Sequence, residues 1–288
     1  MERMQPYPES LLTGHSLEMT ARDLASLELA SSTIPAGSKI SVTFLQNERP
    51  DERVIACKRI HQLGFVAVPH IAARRVVSEH EISDFLQKVT REAGVRCVFV
   101  IAGDASAPVG PYEDSLGVIR SGVFQAHGIE TVGIAGYPEG HPDISEDLLW
   151  RALTDKTTAL SEANLECEIV TQFGFDSEPV LTWLTRVRRA DITAPVRVGM
   201  PGPAKISTLL RFAARCGVGA STKVLSKYGI SMTRLIGSAG PDRLIDDLAA
   251  GLDADCRGEI LIHLYAFGGL ARTATWAAAY KPNLKVMS

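Results

Sequence analysis

Two carboxylates and an amide stand out as residues whose type and position could do chemistry: Glu18 in "HSLEMTARD", Asp104 in "VFVIAGDAS" and Gln172 in "CEIVTQFGFD". Desolvation favours the uncharged form of a carboxyl that faces a core, and a general acid working near neutral pH needs that form. If instead the segment around Glu18 opens an exposed helix, the residue is an ordinary surface carboxylate. Asp104 follows a fully apolar run, where a free carboxylate is costly unless something at the strand end needs it; otherwise it caps a helix or closes a turn. Gln172 carries two donors and an acceptor, suited either to the amide-like edge of a heterocycle or to a strand-end hydrogen bond. The stretch "TVGIAGYPEGHPD" brings Tyr137, Glu139 and His141 to the end of another apolar run, and two prolines fix part of the backbone there. His70 in "VAVPHIAARR" and His263 in "ILIHLYAF" are lone strand histidines, a pattern that more often marks a satisfied core group than a ligand. Arg74 and Arg75 read as solvated side chains.

Several chemistries are excluded by what is missing. No G-x-x-x-x-G-K-[ST] and no strand-to-helix G-x-G-x-x-G is present, which leaves little support for a P-loop or a dinucleotide-binding Rossmann unit. Nor is there a G-x-S-x-G elbow or an H-E-x-x-H. A formal net charge of −3 provides no basic field for nucleic acid or an anionic membrane, so the partner is expected to be a small molecule. The five cysteines lie far apart and mostly in apolar runs, which reads as reduced, buried thiols with no metal site. Neither a signal peptide nor a membrane span is evident in the pattern, and a soluble, cytoplasmic protein is expected.

These residues need a scaffold, and the hydrophobic pattern supplies one. Short β-branched runs alternate with longer amphipathic ones, as in βα units around a parallel sheet. Strands are predicted near His15–Met19, Lys39–Leu45, Phe65–Pro69, Arg96–Ala102, Thr131–Ala135, Glu168–Gln172, Val196–Gly199 and Glu259–Leu264. Helices are predicted over Ala21–Ser31, Asp51–Leu63, Glu79–Glu92, Glu113–His127, Ser145–Ala163, Glu178–Ala190, Ala204–Cys216, Pro241–Gly251 and Leu270–Tyr280. The long connection Gly217–Gly240 is expected to hold one more helix. Eight βα units without a linker or composition shift fit an α/β fold of one kind, a single-domain (β/α)8 barrel over residues 1–288.

In such a barrel the residues after each strand converge on one mouth. Glu18 and Thr20 end the first strand, Thr43 and Gln46 the second, and His70 and Arg74 follow the third. Asp104 follows the fourth strand, the Tyr137–His141 loop the fifth, and Gln172 and Asp176 the sixth, while His263 and Tyr265 lie on the eighth.

Taken together, "VPHIAAR", "VIAGD", "AGYPEGHP", "IVTQFGFD" and "IHLYAFGG" resemble, in order, the methylenetetrahydrofolate reductases, with TQF-x-FD and YPE-x-HP the most specific. The resemblance implies a flavin-containing barrel that moves hydride between NAD(P)H, as co-substrate, and the one-carbon unit of tetrahydrofolate through FAD. It assigns Glu18 as the general acid, Asp104 as a carboxylate near flavin and pterin, and Gln172 as the folate-reading amide. Thr43, His70, Asp104, Tyr137, His141, Asp147 and Lys156 become the expected FAD contacts, and Tyr265 joins Gln172 at the substrate. The sequence departs from the family after Glu18, where "MT" replaces an aromatic, proline-rich stretch, and in the spacing of Asp147 and Lys156. The same residues run backwards would make a methyl-tetrahydrofolate oxidase in a catabolic demethylation pathway. The alternatives are a flavin-independent pterin-binding barrel, methyltransferase or lyase, and a non-catalytic folate-binding barrel. No nucleic acid or membrane partner is expected, and a homo-oligomer is allowed.

Overall fold

The apolar runs alternate in direction residue by residue, and this alternation sorts them into two hydrophobic layers. In the structure, a computed structural model that describes residues 11–46, 48–218, 238–253, 256 and 258–282, the eight strands are Ser16–Met19, Lys39–Val42, Val66–Ala72, Cys97–Ile101, Thr131–Gly136, Glu166–Thr171, Val196–Pro201 and Ile260–Tyr265. They are parallel and close in chain order into a barrel, the first strand pairing with the eighth through Ser16 opposite His263. Leu17, Ile40, Val98, Ile134 and Leu264 point outward into the main core beneath the helices. Val68, Cys97, Phe99 and Val170 form a separate small cluster in the barrel interior.

The interior floor is ionic. Glu168 accepts from Arg197 at 2.7 Å and from Lys39 at 3.0 Å, and Arg197 also reaches the Gly14 carbonyl at 2.9 Å. Burial pushes the Glu168 carboxyl up, but the two cations outweigh it and hold it below the ordinary range. The floor is thereby closed, and the open end of the barrel is the mouth.

The helices form where amphipathic periodicity meets end signals. Glu79–Ala93 buries Ile82, Phe85, Leu86 and Val89 on one face, starts at Ser78, whose hydroxyl accepts from the Glu81 amide, and stops at Gly94. Asp176 caps Ser177–Arg189 in the same manner. The helix expected over Glu113–His127 is two shorter ones, Ser115–Arg120 and Val123–Ala126. Gly122 between them has φ 77°, a left-handed conformation that no helix continues through. The helix expected within Gly217–Gly240 falls largely on residues 219–237, outside the described residues. A short antiparallel pair joins Ala204–Lys205, just before the helix Ile206–Cys216, to Ser238–Ala239 near the end of that connection. Among the described residues no helix is long and apolar enough to cross a membrane.

Candidate active site

Strand alternation that sends Leu17 outward turns Ser16 and Glu18 inward, and the pairing of first and eighth strands sets His263 beside them. Glu18 Oε2 lies 3.7 Å from His263 Nε2 and 3.8 Å from His70 Nε2. The other ring nitrogen of His263, Nδ1, is 2.8 Å from Ser16 Oγ. The carboxylate therefore sits between two imidazoles in a pocket that excludes most water: the side chains of Glu18, His70 and His263 are 15%, 9% and 2% exposed.

His70 is held from behind. Its backbone carbonyl accepts from Arg53 at 2.8 Å, and the Arg53 guanidinium is sandwiched between the Phe44 and Phe85 rings. Burial lowers the His70 imidazole to about 4, against the opposing pull of Glu18, so it is neutral at physiological pH. Tyr265 lies edge-on to His263, with ring centroids 4.9 Å apart, and its hydroxyl donates to the Thr171 carbonyl at 3.0 Å. Gly199 makes this crossing possible, since a Cβ there would stand 2.7 Å from the Tyr265 ring and 2.3 Å from the Thr171 carbonyl oxygen. Burial, with the charge of Glu18 nearby, raises the Tyr265 phenol well above its ordinary value, and it stays protonated.

The remaining expected residues divide between the mouth and its rim. Gln172 directly follows the sixth strand, its backbone amide donating to the Gly136 carbonyl at 2.8 Å and its side-chain oxygen accepting from the Phe173 amide at 3.1 Å. Thr43 follows the second strand, and its hydroxyl oxygen is buried with no hydrogen-bond partner among the described residues. Tyr137 to Gly140 form a tight turn closed by the Gly140 amide on the Tyr137 carbonyl at 3.1 Å, with Pro138 at the position where its fixed φ suits the turn. Tyr137 packs edge-on against His141, with ring centroids 5.5 Å apart.

Asp104 is at the rim, 64% exposed, and bonded to Arg75 at 3.0 Å. Arg74 and Arg75, read from the sequence as solvated, are instead structural at this rim: Arg74 donates to the carbonyls of Glu113 and Ala105, and Arg75 clamps Asp104. Asp147 is exposed in the first turn of the helix Glu146–Glu162, whereas Lys156 is buried on that helix, its ammonium lowered by burial. Nine residues of helix, roughly 13.5 Å, separate the two, so the structure does not bring them to one point.

Two members of the central cluster were not assigned roles from the sequence. Ser16 and His263 carry signals only in hindsight of register: an S-x-E on the first strand and an H-x-Y on the last become one cluster once those strands are neighbours.

The sequence profile described as methylenetetrahydrofolate reductase matches residues 24–231, more than two thirds of the chain. The chain belongs to the methylenetetrahydrofolate reductase family. Membership places it among folate-linked oxidoreductases, and the matched span of this family member contains Thr43, His70, Asp104, Tyr137, His141, Asp147, Lys156 and Gln172. Glu18 and His263 lie outside the span, on the two strands that close the barrel. Among solved structures, the chain is similar to a dihydropyrimidinase from Brevibacillus agri, at 8% identity and a TM-score of 0.38. That likeness covers 62% of this chain and 41% of the other, so the chain spans about two fifths of that structure's length.

Proposed function

We propose that the chain interconverts methylene- and methyl-tetrahydrofolate, with NAD(P)H as the hydride source and FAD as the carrier. The observation that supports this most directly is the Glu18 carboxyl set between His70 and His263 inside a barrel mouth of this family. FAD, when bound, supplies two-electron hydride carriage between the nicotinamide and the folate carbon.

The residues present suit such a cofactor. The buried Thr43 hydroxyl, unpartnered among the described residues, matches what a ring heteroatom would satisfy. The Tyr137–His141 turn presents two aromatic edges on a backbone already fixed by proline, so little further order is needed on binding. His70, neutral, can share a hydrogen bond without adding a charge. Asp104 brings a carboxylate already compensated by Arg75, whereas Asp147, exposed, and Lys156, buried, carry no part of this fit.

The chain's own part of the chemistry is proton handling and orientation. Glu18, protonated, donates to the bridging nitrogen of methylene-tetrahydrofolate; that C–N bond opens, and the one-carbon unit becomes an iminium carbon able to accept hydride. His263, fixed by Ser16, holds the carboxyl in place. Gln172 orients the pterin edge, and Tyr265 closes the wall beside it. In the reverse direction the same carboxylate takes the proton back.

The test is Glu18→Gln. Folate-dependent turnover should fall by roughly 10²–10⁴-fold, the range for a general acid, while NADH oxidation by a flavin-directed artificial acceptor persists. Equal losses in both would remove Glu18 from this role.

A further inference from the structure

Thr171 is the last residue of the sixth strand and has no exposed surface, so it can act on a ligand only through its neighbours. Between the sixth and seventh strands the paired residues are Ile169 with Val196 and Val170 with Arg197. Nearer the mouth, the Gly199 amide donates to the Thr171 hydroxyl at 2.8 Å. That hydroxyl in turn donates to the Gln172 carbonyl at 3.0 Å, and the Thr171 carbonyl accepts from the Tyr265 phenol, also at 3.0 Å.

Two peptide units flank Gln172, and all four of their polar groups are bonded. In the first, the Thr171 carbonyl is held by Tyr265 and the Gln172 amide by the Gly136 carbonyl. In the second, the Gln172 carbonyl is held by Thr171 and the Phe173 amide by the Gln172 side-chain oxygen. The backbone donor at Phe173 fixes which end of the side-chain amide is oxygen. Its NH2 is then the part with no partner among the described residues, and a ligand atom that meets it must be an acceptor. Loss of the Thr171 hydroxyl would unpair the Gln172 carbonyl and the Gly199 amide together, at a strand end where fraying is easiest.

We propose that Thr171 is a positioning residue for Gln172, holding its side-chain amide as a fixed two-donor group that reads a hydrogen-bond acceptor on the folate ring. The proposal rests on the folate reading given above. A threonine that only completed the strand would change stability and leave affinity alone.

The experiment is calorimetric binding of 5-formyl-tetrahydrofolate, a folate with no methylene bridge to accept hydride, to the protein as purified and to its variants. Thr171→Val keeps the branched shape and removes the hydroxyl; it should weaken binding by roughly three- to tenfold, the worth of one hydrogen bond. Thr171→Ser, which keeps the hydroxyl, should bind within about twofold of the unaltered protein. Added to Gln172→Ala, Thr171→Val should cost less than about twofold more, because the two act as one unit. A loss as large in the Gln172→Ala background as without it would overturn the proposal, as would a Thr171→Val protein that melts lower but binds the folate as before. Should Thr171→Val fail to fold, Tyr265→Phe releases the same segment from its other side; its loss of affinity should also disappear in the Gln172→Ala background, and a loss that persists there would overturn the proposal. Folate binding without hydride transfer would remove the proposed activity and leave this inference standing, whereas no folate binding by the unaltered protein would end both.

Discussion

His263 Nε2 stands 3.7 Å from Glu18 Oε2 while its Nδ1 stands 2.8 Å from Ser16 Oγ. The imidazole is thus held at both ends, and the hydroxyl fixes the orientation in which the other nitrogen faces the carboxyl. Replacing His263 by Gln should slow the step in which methylene-tetrahydrofolate takes up hydride, by less than the roughly 10²–10⁴-fold expected of the acid itself. It should also shift the pH profile of that step, leaving reduction by NADH near its original rate. Stopped-flow measurement of the two half-reactions across pH checks both statements; an unshifted profile would reduce His263 to packing.

His70 makes stability depend on pH. In the unfolded chain its imidazole takes up a proton near the ordinary histidine value, about 6.5; in the folded protein burial delays this to about 4. Between those values the unfolded state binds more protons, so stability is fully present above pH 6.5 and is lost as pH falls toward 4. The contribution is on the order of 3 kcal/mol at the acid end. Denaturant unfolding of His70→Gln should show a flatter dependence through this window, and an unchanged slope would contradict the burial argument.

The Thr43 hydroxyl is buried without a partner among the described residues, which is unfavourable unless a ligand uses it. Thr43→Val should leave the flavin-free protein as stable or up to about 1 kcal/mol more stable, yet weaken FAD binding by roughly five- to tenfold. Thermal melts of the flavin-free protein and a flavin titration separate the two effects. A destabilised protein with unchanged flavin affinity would mean that the hydroxyl serves the fold alone.

Most of the scaffold was legible because it rests on local signals. The β-branched runs and the amphipathic periodicity between them are visible in sequence, and most of the strands and helices lie close to where they were expected. The single helix expected from Glu113 to His127 rested on apolar spacing, and it is divided because Gly122 turns the chain in a left-handed conformation. The central cluster was legible only in part. Glu18 drew attention as a carboxylate in an apolar strand, but Ser16 and His263 are 247 residues apart and meet only through barrel closure. Arg75 and Asp104 pair across 29 residues because the third and fourth strands, which they follow, lie side by side.

The most direct single measurement is the visible absorption of the purified protein, reconstituted with FAD if needed, before and after anaerobic NADH and then methylene-tetrahydrofolate. A flavin spectrum that bleaches with NADH and returns on adding the folate is the expected result. A protein that holds no flavin even after incubation with FAD, or a flavin that the folate leaves reduced, would contradict the proposed activity.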